Sequence, residues 1–370
     1  MSKTETRNTI KNQIMKYPLM EIRDMCKLLY QSIFGGGHMI ADMSKSLLRI
    51  CNEYEKVKDA LPKEEVVEQI GEDTCRIYLN SIRQGLNPVT LNKMFVLSAA
   101  SKKGNIEDLE NELVTFVHFC DNDVISFDSA DVKEFIQNWK LQGYPAISHS
   151  ETYRQHYQPA YRVVNGVYGK YYRVFLEIDR LLEQHKDSDV PLIVAIDGMA
   201  GSGKSTLGEL LKAVYECNLF HMDDYFLQPH QRTAERLAEP GGNVDYERFK
   251  AEIYDQIEAK RAFEYQKYDC GRQQLGERIQ VSYSKLNIIE GAYAAHPYFE
   301  DRTDLLFFME ISDEVQKNRI AARNGERMLE RFLKEWIPME HHYFDRYSIR
   351  EKAVIISGED ESSVLGKMDR

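Results

Sequence analysis

Residues 191–206 read PLIVAIDGMAGSGKST, and this stretch decides how the second half of the chain is built. Residues 192–196 form a short apolar, β-branched run of the kind buried as a parallel strand, and helical spacing resumes at Leu207, Leu210, Leu211 and Val214. The order is strand, tight loop, helix. Between the two elements Gly198, Gly203, Lys204 and Ser205 complete the spacing G-x-x-x-x-G-K-[ST]. Glycines let backbone N–H groups turn inward around an anion, and the helix that follows presents its positive dipole end to the same point. The pattern therefore predicts a cradle for nucleotide phosphates built from Gly198, Gly201, Ser202, Gly203, Lys204, Ser205 and Thr206. Lys204 is expected to reach the β- and γ-phosphates, and Ser205 to offer its hydroxyl to Mg²⁺. A glycine turn that only joins a strand to a helix needs neither the lysine nor the hydroxyl.

Downstream of this loop, acids recur at the ends of apolar runs. In 218–233, NLFHMDDYFLQPHQRT, Asp223 and Asp224 follow a short strand, where open α/β sheets gather their active-site groups. One of them can take a proton from an attacking hydroxyl or orient a metal. EPGGNVDYERF (239–249) puts Asp245 in a turn just before a helix, where it either caps the helix or accepts hydrogen bonds from a hydroxyl-bearing ligand. SKLNIIEGAYAAHP (284–297) contains another buried strand ending in Glu290, a candidate Mg²⁺ ligand, directly or through water. A core strand at 304–312 is followed by Arg319, Arg323, Arg327 and Arg331, a four-residue spacing that predicts one arginine stripe along a helix. Such a stripe suits a lid that neutralises a transferring phosphoryl group, although Glu326, Glu330 and Glu335 offer it partners as a solvated face. A last strand at 352–357 brings Gly358 forward as a neighbour for an adenine base.

Taken in order, these motifs resemble the uridine kinase and phosphoribulokinase group of P-loop kinases over residues 191–358, about half the chain. The resemblance implies an α/β fold with a parallel sheet flanked by helices, and an ATP- and Mg²⁺-dependent phosphotransferase. HMDDYF matches the family's strand-end aspartate and aromatic pair, which makes Asp223 the implied catalytic base and metal-shell residue and Asp224 a second acid. NVDYERF matches the loop whose aspartate binds substrate hydroxyls (Asp245), IIEGAY matches the Mg²⁺-linked glutamate (Glu290), and Arg319 with Arg323 matches the lid arginines. Tyr268 and Asp269 match a Tyr-Asp pair that the family continues with an aromatic and a histidine contacting the pyrimidine. Here Cys270, Gly271 and Arg272 stand instead, so the resemblance implies a hydroxyl acceptor without implying uridine. The segment 336–344, WIPMEHHYF, also departs from the uridine kinase pattern.

The first half is read from its residues alone. At 370 residues the chain exceeds one usual core, and the expected organisation is a mainly helical domain over 1–165, a connecting helix and linker over 166–189, and the α/β domain over 190–370. Helical patterns run through 22–33, 43–57, 91–100 and 106–119, with a short strand at 74–79. The segment 143–164 concentrates Tyr144, Tyr153, Tyr157, Tyr161, His149, His156, Arg154 and Arg162, a mixture suited to a seam between domains or to a ligand pocket. His38, His118, His149 and His156 with Glu55 form a candidate metal set of unspecific spacing.

A formal net charge of −11 argues against a nucleic-acid or anionic-lipid surface, and no apolar run reaches membrane-spanning length. The six cysteines, Cys26, Cys51, Cys75, Cys120, Cys217 and Cys270, lie far apart without C-x-x-C pairs, which fits reduced thiols and a cytoplasmic location. The expected partner is a small hydroxyl-bearing molecule, with homo-oligomerisation left open. The competing expectation is a nucleotide-dependent regulatory switch whose helical domain binds a partner or effector.

Overall fold

The computed structural model describes residues 3–359 apart from 41, 61–64, 123, 300 and 301. The chain divides into two units, Met1–Asp179 and Arg180–Arg370, a division that falls inside the helix Tyr172–Gln184.

In the first unit, the helix Ile22–Phe34 starts where Asp24 turns back to accept the Glu21 N–H (3.0 Å) and stops at Gly35, whose φ of +63° suits glycine. Its buried face, which includes Met25, Cys26, Leu28 and Leu29, packs with Leu109, Leu113 and Phe116 of the helix Ile106–Asp121. The helices Met43–Val57 and Pro88–Ser101 agree with the periodicity, and Ser129–Leu141 adds a helix that it did not single out. Three short strands, β1 (Val67–Gly71), β2 (Thr74–Tyr78) and β3 (Tyr161–Asn165), form an antiparallel sheet with β2 in the middle. Tyr144, Tyr153 and Tyr161 of the aromatic segment are buried in this unit's own core and Tyr157 packs against it, while Arg154 and His156 are exposed. His149 is bonded to Asp24 and Tyr161, His118 to Asn122 and His156 to the Thr152 carbonyl; the structure does not gather the histidines as a metal set.

The second unit is an α/β layer structure. β4 (Leu192–Gly198) is buried at every residue, because helices cover a parallel sheet on both faces. The sheet also contains β5 (Asn218–His221), β8 (Leu286–Glu290), β9 (Leu305–Glu310) and β10 (Val354–Ser357), in the spatial order β10-β9-β4-β8-β5, and all its pairs are parallel. Between β5 and β8 in sequence, β6 (Phe263–Asp269) and β7 (Gln274–Val281) form a separate antiparallel hairpin. The chain leaves β4 toward β5 on one side and later crosses from β8 to β9 on the other. The crevice at the carboxyl end of β4 is thus the topological switch point where open sheets bind ligands.

Candidate active site

β4 ends in the glycine-rich loop, and the loop's geometry requires its glycines. Gly198 has a φ of +132°, and a Cβ there would lie 2.2 Å from the Met309 carbonyl oxygen of β9. Gly203, at φ +100°, immediately precedes the helix Lys204–Tyr215, so no side chain caps that helix's first N–H groups. Leu207, Leu211 and Val214 bury the helix against the sheet, while Ser205 and Thr206 are exposed in its first turn. Lys204 Nζ donates to the carbonyls of Gly198 (2.8 Å) and Met199 (2.9 Å). Ser202 Oγ is buried without a hydrogen-bond partner among the described residues.

Asp223 sits in the turn Met222–Tyr225 directly after β5. Its residue surface is open, but protein crowds the carboxyl itself; that loss of water and the nearby Glu290 raise its pKa, with Lys204 opposing. Asp224 pairs with Lys267 of the hairpin at 3.1 Å. Glu290, buried at the end of β8, is bonded to His221 Nδ1 at 2.5 Å, and that bond raises the His221 pKa against the effect of burial. Asp223, Asp224, Glu290 and Lys204 thus share one neighbourhood at the carboxyl ends of adjacent strands.

The remaining predicted residues have other partners. Asp245 is almost fully buried; it caps the helix Tyr246–Phe249 by accepting the Arg248 N–H (3.1 Å) and accepts from Gln231 Nε2 (2.8 Å). Tyr268 is buried on β6 and accepts from Arg232 at 2.8 Å. The arginine stripe does not lie on one helix, because Gly325 at φ +78° ends Asp313–Asn324 and a separate helix, Glu326–Arg331, follows. Arg319 donates to the carbonyls of Gly201 (3.2 Å) and Gly358 (3.0 Å), tying the glycine loop to the segment after β10. Arg323 is exposed and bonded to Asn324, and Arg331 pairs with Glu335 at 2.9 Å.

Two acids not singled out in the sequence stand directly beneath the loop. Asp197, fully buried, accepts the N–H of Gly198 (2.7 Å), Tyr293 (3.3 Å) and Ala295 (3.0 Å) and the Tyr343 hydroxyl (2.9 Å). Burial raises its pKa even so. Glu340 accepts the Ala200 N–H at 3.0 Å, and burial pushes its carboxyl up to about 7, with Lys204 opposing. An acid immediately before the first glycine was the available signal for Asp197; nothing in local spacing marks Glu340, which lies 140 residues from its partner.

The donors available for a cation are the Ser205 hydroxyl and the Asp223 and Glu290 carboxylates, all oxygen, as Mg²⁺ prefers. Among the described residues no three His, Cys, Asp or Glu side chains form a metal cage of their own. Next to the loop, a groove of about 600 Å³ is lined by Met199, Phe308, Ile311, Phe344, Ser357 and Glu359, among others.

No protein-family model and no curated protein matches the chain. Among solved structures, it is similar to a possible uridine kinase from Bacillus stearothermophilus (19% identity, 50% of this chain and 99% of that one, TM-score 0.37). It is also similar to a protein assigned as a fructose transport system kinase from Silicibacter sp. TM1040 (18%, 48% and 96%, 0.38). A third is the D-glycerate 3-kinase of Cryptococcus neoformans (15%, 43% and 83%, 0.34). Each of these three matches covers between 43% and 50% of this chain.

Proposed function

We propose that the protein is an ATP- and Mg²⁺-dependent phosphotransferase acting on a hydroxyl of a small metabolite. The observation that carries this reading is one neighbourhood at the switch point: an uncapped helix start behind a glycine loop, Lys204 at the loop's mouth, and Asp223 with Glu290 at the adjoining strand ends. The loop amides and Lys204 hold the triphosphate, and the nucleoside end lies toward Gly358 and the neighbouring groove. Ser205, Asp223 and Glu290 would hold Mg²⁺, which when bound neutralises charge on the transferring phosphoryl.

Asp223 accepts the proton of the attacking hydroxyl; its raised pKa brings its basicity closer to that task. Asp224 and Tyr268 face the acceptor, and Asp245 shapes that side through Gln231 and the Tyr246–Phe249 helix. Arg319 fixes the loop from the nucleotide side, and Arg323, exposed near Gly325, meets the phosphoryl oxygens when the segment closes.

A coupled ADP-release assay across nucleosides, sugars, polyols and hydroxy acids tests the reading. The expected outcome is ADP formed in step with one added alcohol. Slow ADP formation independent of every acceptor, together with a partner whose affinity follows nucleotide, would instead identify a switch.

A further inference from the structure

The helix Ile337–Tyr347 lies in the segment that departs from the uridine kinase pattern, and it contacts the glycine loop at two points. Glu340 and Tyr343 are three residues apart, so they project from one face. Glu340 Oε2 accepts the N–H of Ala200, and Tyr343 donates to Asp197 Oδ2, whose other oxygen accepts the N–H of Gly198. The two contacts straddle Met199. From the helix Asp313–Asn324, Gln316 Nε2 donates to the Ala200 carbonyl at 3.0 Å, so both backbone groups of Ala200 are held by side chains.

A carboxylate at 6% exposure is an expensive way to fill space, since a leucine or methionine would pack there without desolvating a charge. What Glu340 adds is an acceptor aimed at one loop N–H. The same helix continues backward, through the turn Phe332–Trp336, into Glu326–Arg331, the segment that follows the Gly325 break. The segment after the Gly325 break is thus joined to the residues that hold the loop by one continuous run of helical turns.

We propose that Glu340 is a positioning residue of the glycine loop: through the Ala200 N–H, and with Tyr343 and Asp197 beside it, it holds the loop in the shape whose amides converge on phosphate. Its catalytic consequence rests on the kinase reading above; its effect on the loop does not. A group that acts this way moves turnover more than binding of the acceptor, because it sets the place of the transferring phosphoryl and touches no acceptor.

The test uses the full chain and three variants, Glu340→Ala, Glu340→Gln and Tyr343→Phe, with two readouts. Amide hydrogen exchange of the 197–204 stretch is measured without nucleotide, and steady-state kinetics with ATP and the acceptor found by screening. Glu340→Ala is expected to speed exchange there about tenfold or more. It should also lower kcat about 10- to 100-fold while acceptor KM moves less than about threefold. Glu340→Gln keeps an acceptor oxygen, so it should restore both readouts to within about threefold of the parent. Parental exchange and kinetics in Glu340→Ala overturn the proposal, and so does a glutamine variant as impaired as alanine. If Glu340→Ala does not fold, Tyr343→Phe replaces it: faster exchange at 197–200 supports the proposal, and parental exchange overturns it. A parent that neither binds ATP nor transfers phosphate ends the kinase reading separately, with the exchange result still standing.

Discussion

Each unit buries a knot of charged side chains, and the two are tied differently. In the first unit Arg76 meets Glu68 at 3.0 Å and Gln31 at 2.9 Å and lies over the Tyr161 ring. Glu68 also accepts from Gln13, Tyr17 and Tyr78, while Asp24 accepts from His149 and from Ser150. Burial alone would raise Glu68, but Arg76 and Lys16 outweigh it and hold the carboxyl down at about 2. In the second unit Asp197, Asp223 and Glu340 stand near Lys204, and all three carboxyls are pushed up. The first knot is nearly balanced within itself and acts as structure. The second has acids in surplus beside an uncapped helix start, the kind of perturbed cluster that marks a functional-site candidate.

The strongest way to break this contrast is to remove one acid from each knot. Asp223→Asn should lower kcat by about 10²- to 10⁴-fold with ATP affinity, read by a fluorescent-nucleotide titration, nearly unchanged. A parental rate would remove Asp223 from the chemistry. Glu68→Gln, in contrast, leaves Arg76 buried beside a neutral partner and should cost about 3 kcal/mol in urea unfolding of the first unit's transition. ATP titration in that variant should match the parent.

Acidity sharpens the contrast further, because the two knots respond in opposite directions. His149 is held down at about 4 by burial, with Arg76 and Lys27 adding to it and Asp24 opposing, and it stacks on Tyr153. Its neutral form is native, so its stabilisation is complete above about pH 6.5 and is lost as pH falls toward 4. Glu340 faces Lys204, Asp197, Asp223 and Tyr293 and is held up at about 7. Folding favours its protonated form, so stability from this group is greatest below about pH 4.5 and falls as pH rises through 7. Each should be worth roughly 3 kcal/mol across its window. Thermal melts of the parent, His149→Gln and Glu340→Gln between pH 4.5 and 7.5 check both signs: each variant should flatten the slope of its own window alone.

Legibility in the sequence differed along the same division. The strand, glycine loop and helix at 192–215 could be read because each step is local: an apolar run, glycines at positive φ, and resumed helical spacing. The places of Asp223 and Glu290 at strand ends could be read because each closes a short apolar run. The arginine stripe failed because a four-residue spacing cannot show that Gly325 adopts φ +78° and stops the helix. β1 and β3 were missed because each is five residues long and is made a strand by pairing with β2. The tyrosine-rich segment carries the residue types of a binding surface, and only tertiary packing shows that Tyr144, Tyr153 and Tyr161 face inward. Glu340 was illegible because its partner lies 140 residues away and its own helix gives it no role.

The smallest expected effect falls at Asp245, where the two kinds of acid meet in one residue. Like Glu68 it is buried and paired, and like Asp223 it belongs to the stretch between β5 and β6 of the second unit. Gln231 cannot readily turn its amide around, because its Oε1 accepts the Gln228 N–H at 2.8 Å while its Nε2 faces Asp245. In Asp245→Asn the new amide group must therefore meet either the Gln231 amide or the Arg248 N–H, and one hydrogen bond is lost whichever way it turns. The cost should be about 1 kcal/mol in denaturant unfolding, the value of a helix cap or a single buried hydrogen bond. Acceptor KM should rise less than about threefold, since no carboxylate oxygen is free of protein partners to grip an alcohol directly. A tenfold or larger rise in acceptor KM at unchanged stability would move Asp245 out of the structural class and into direct contact with the substrate.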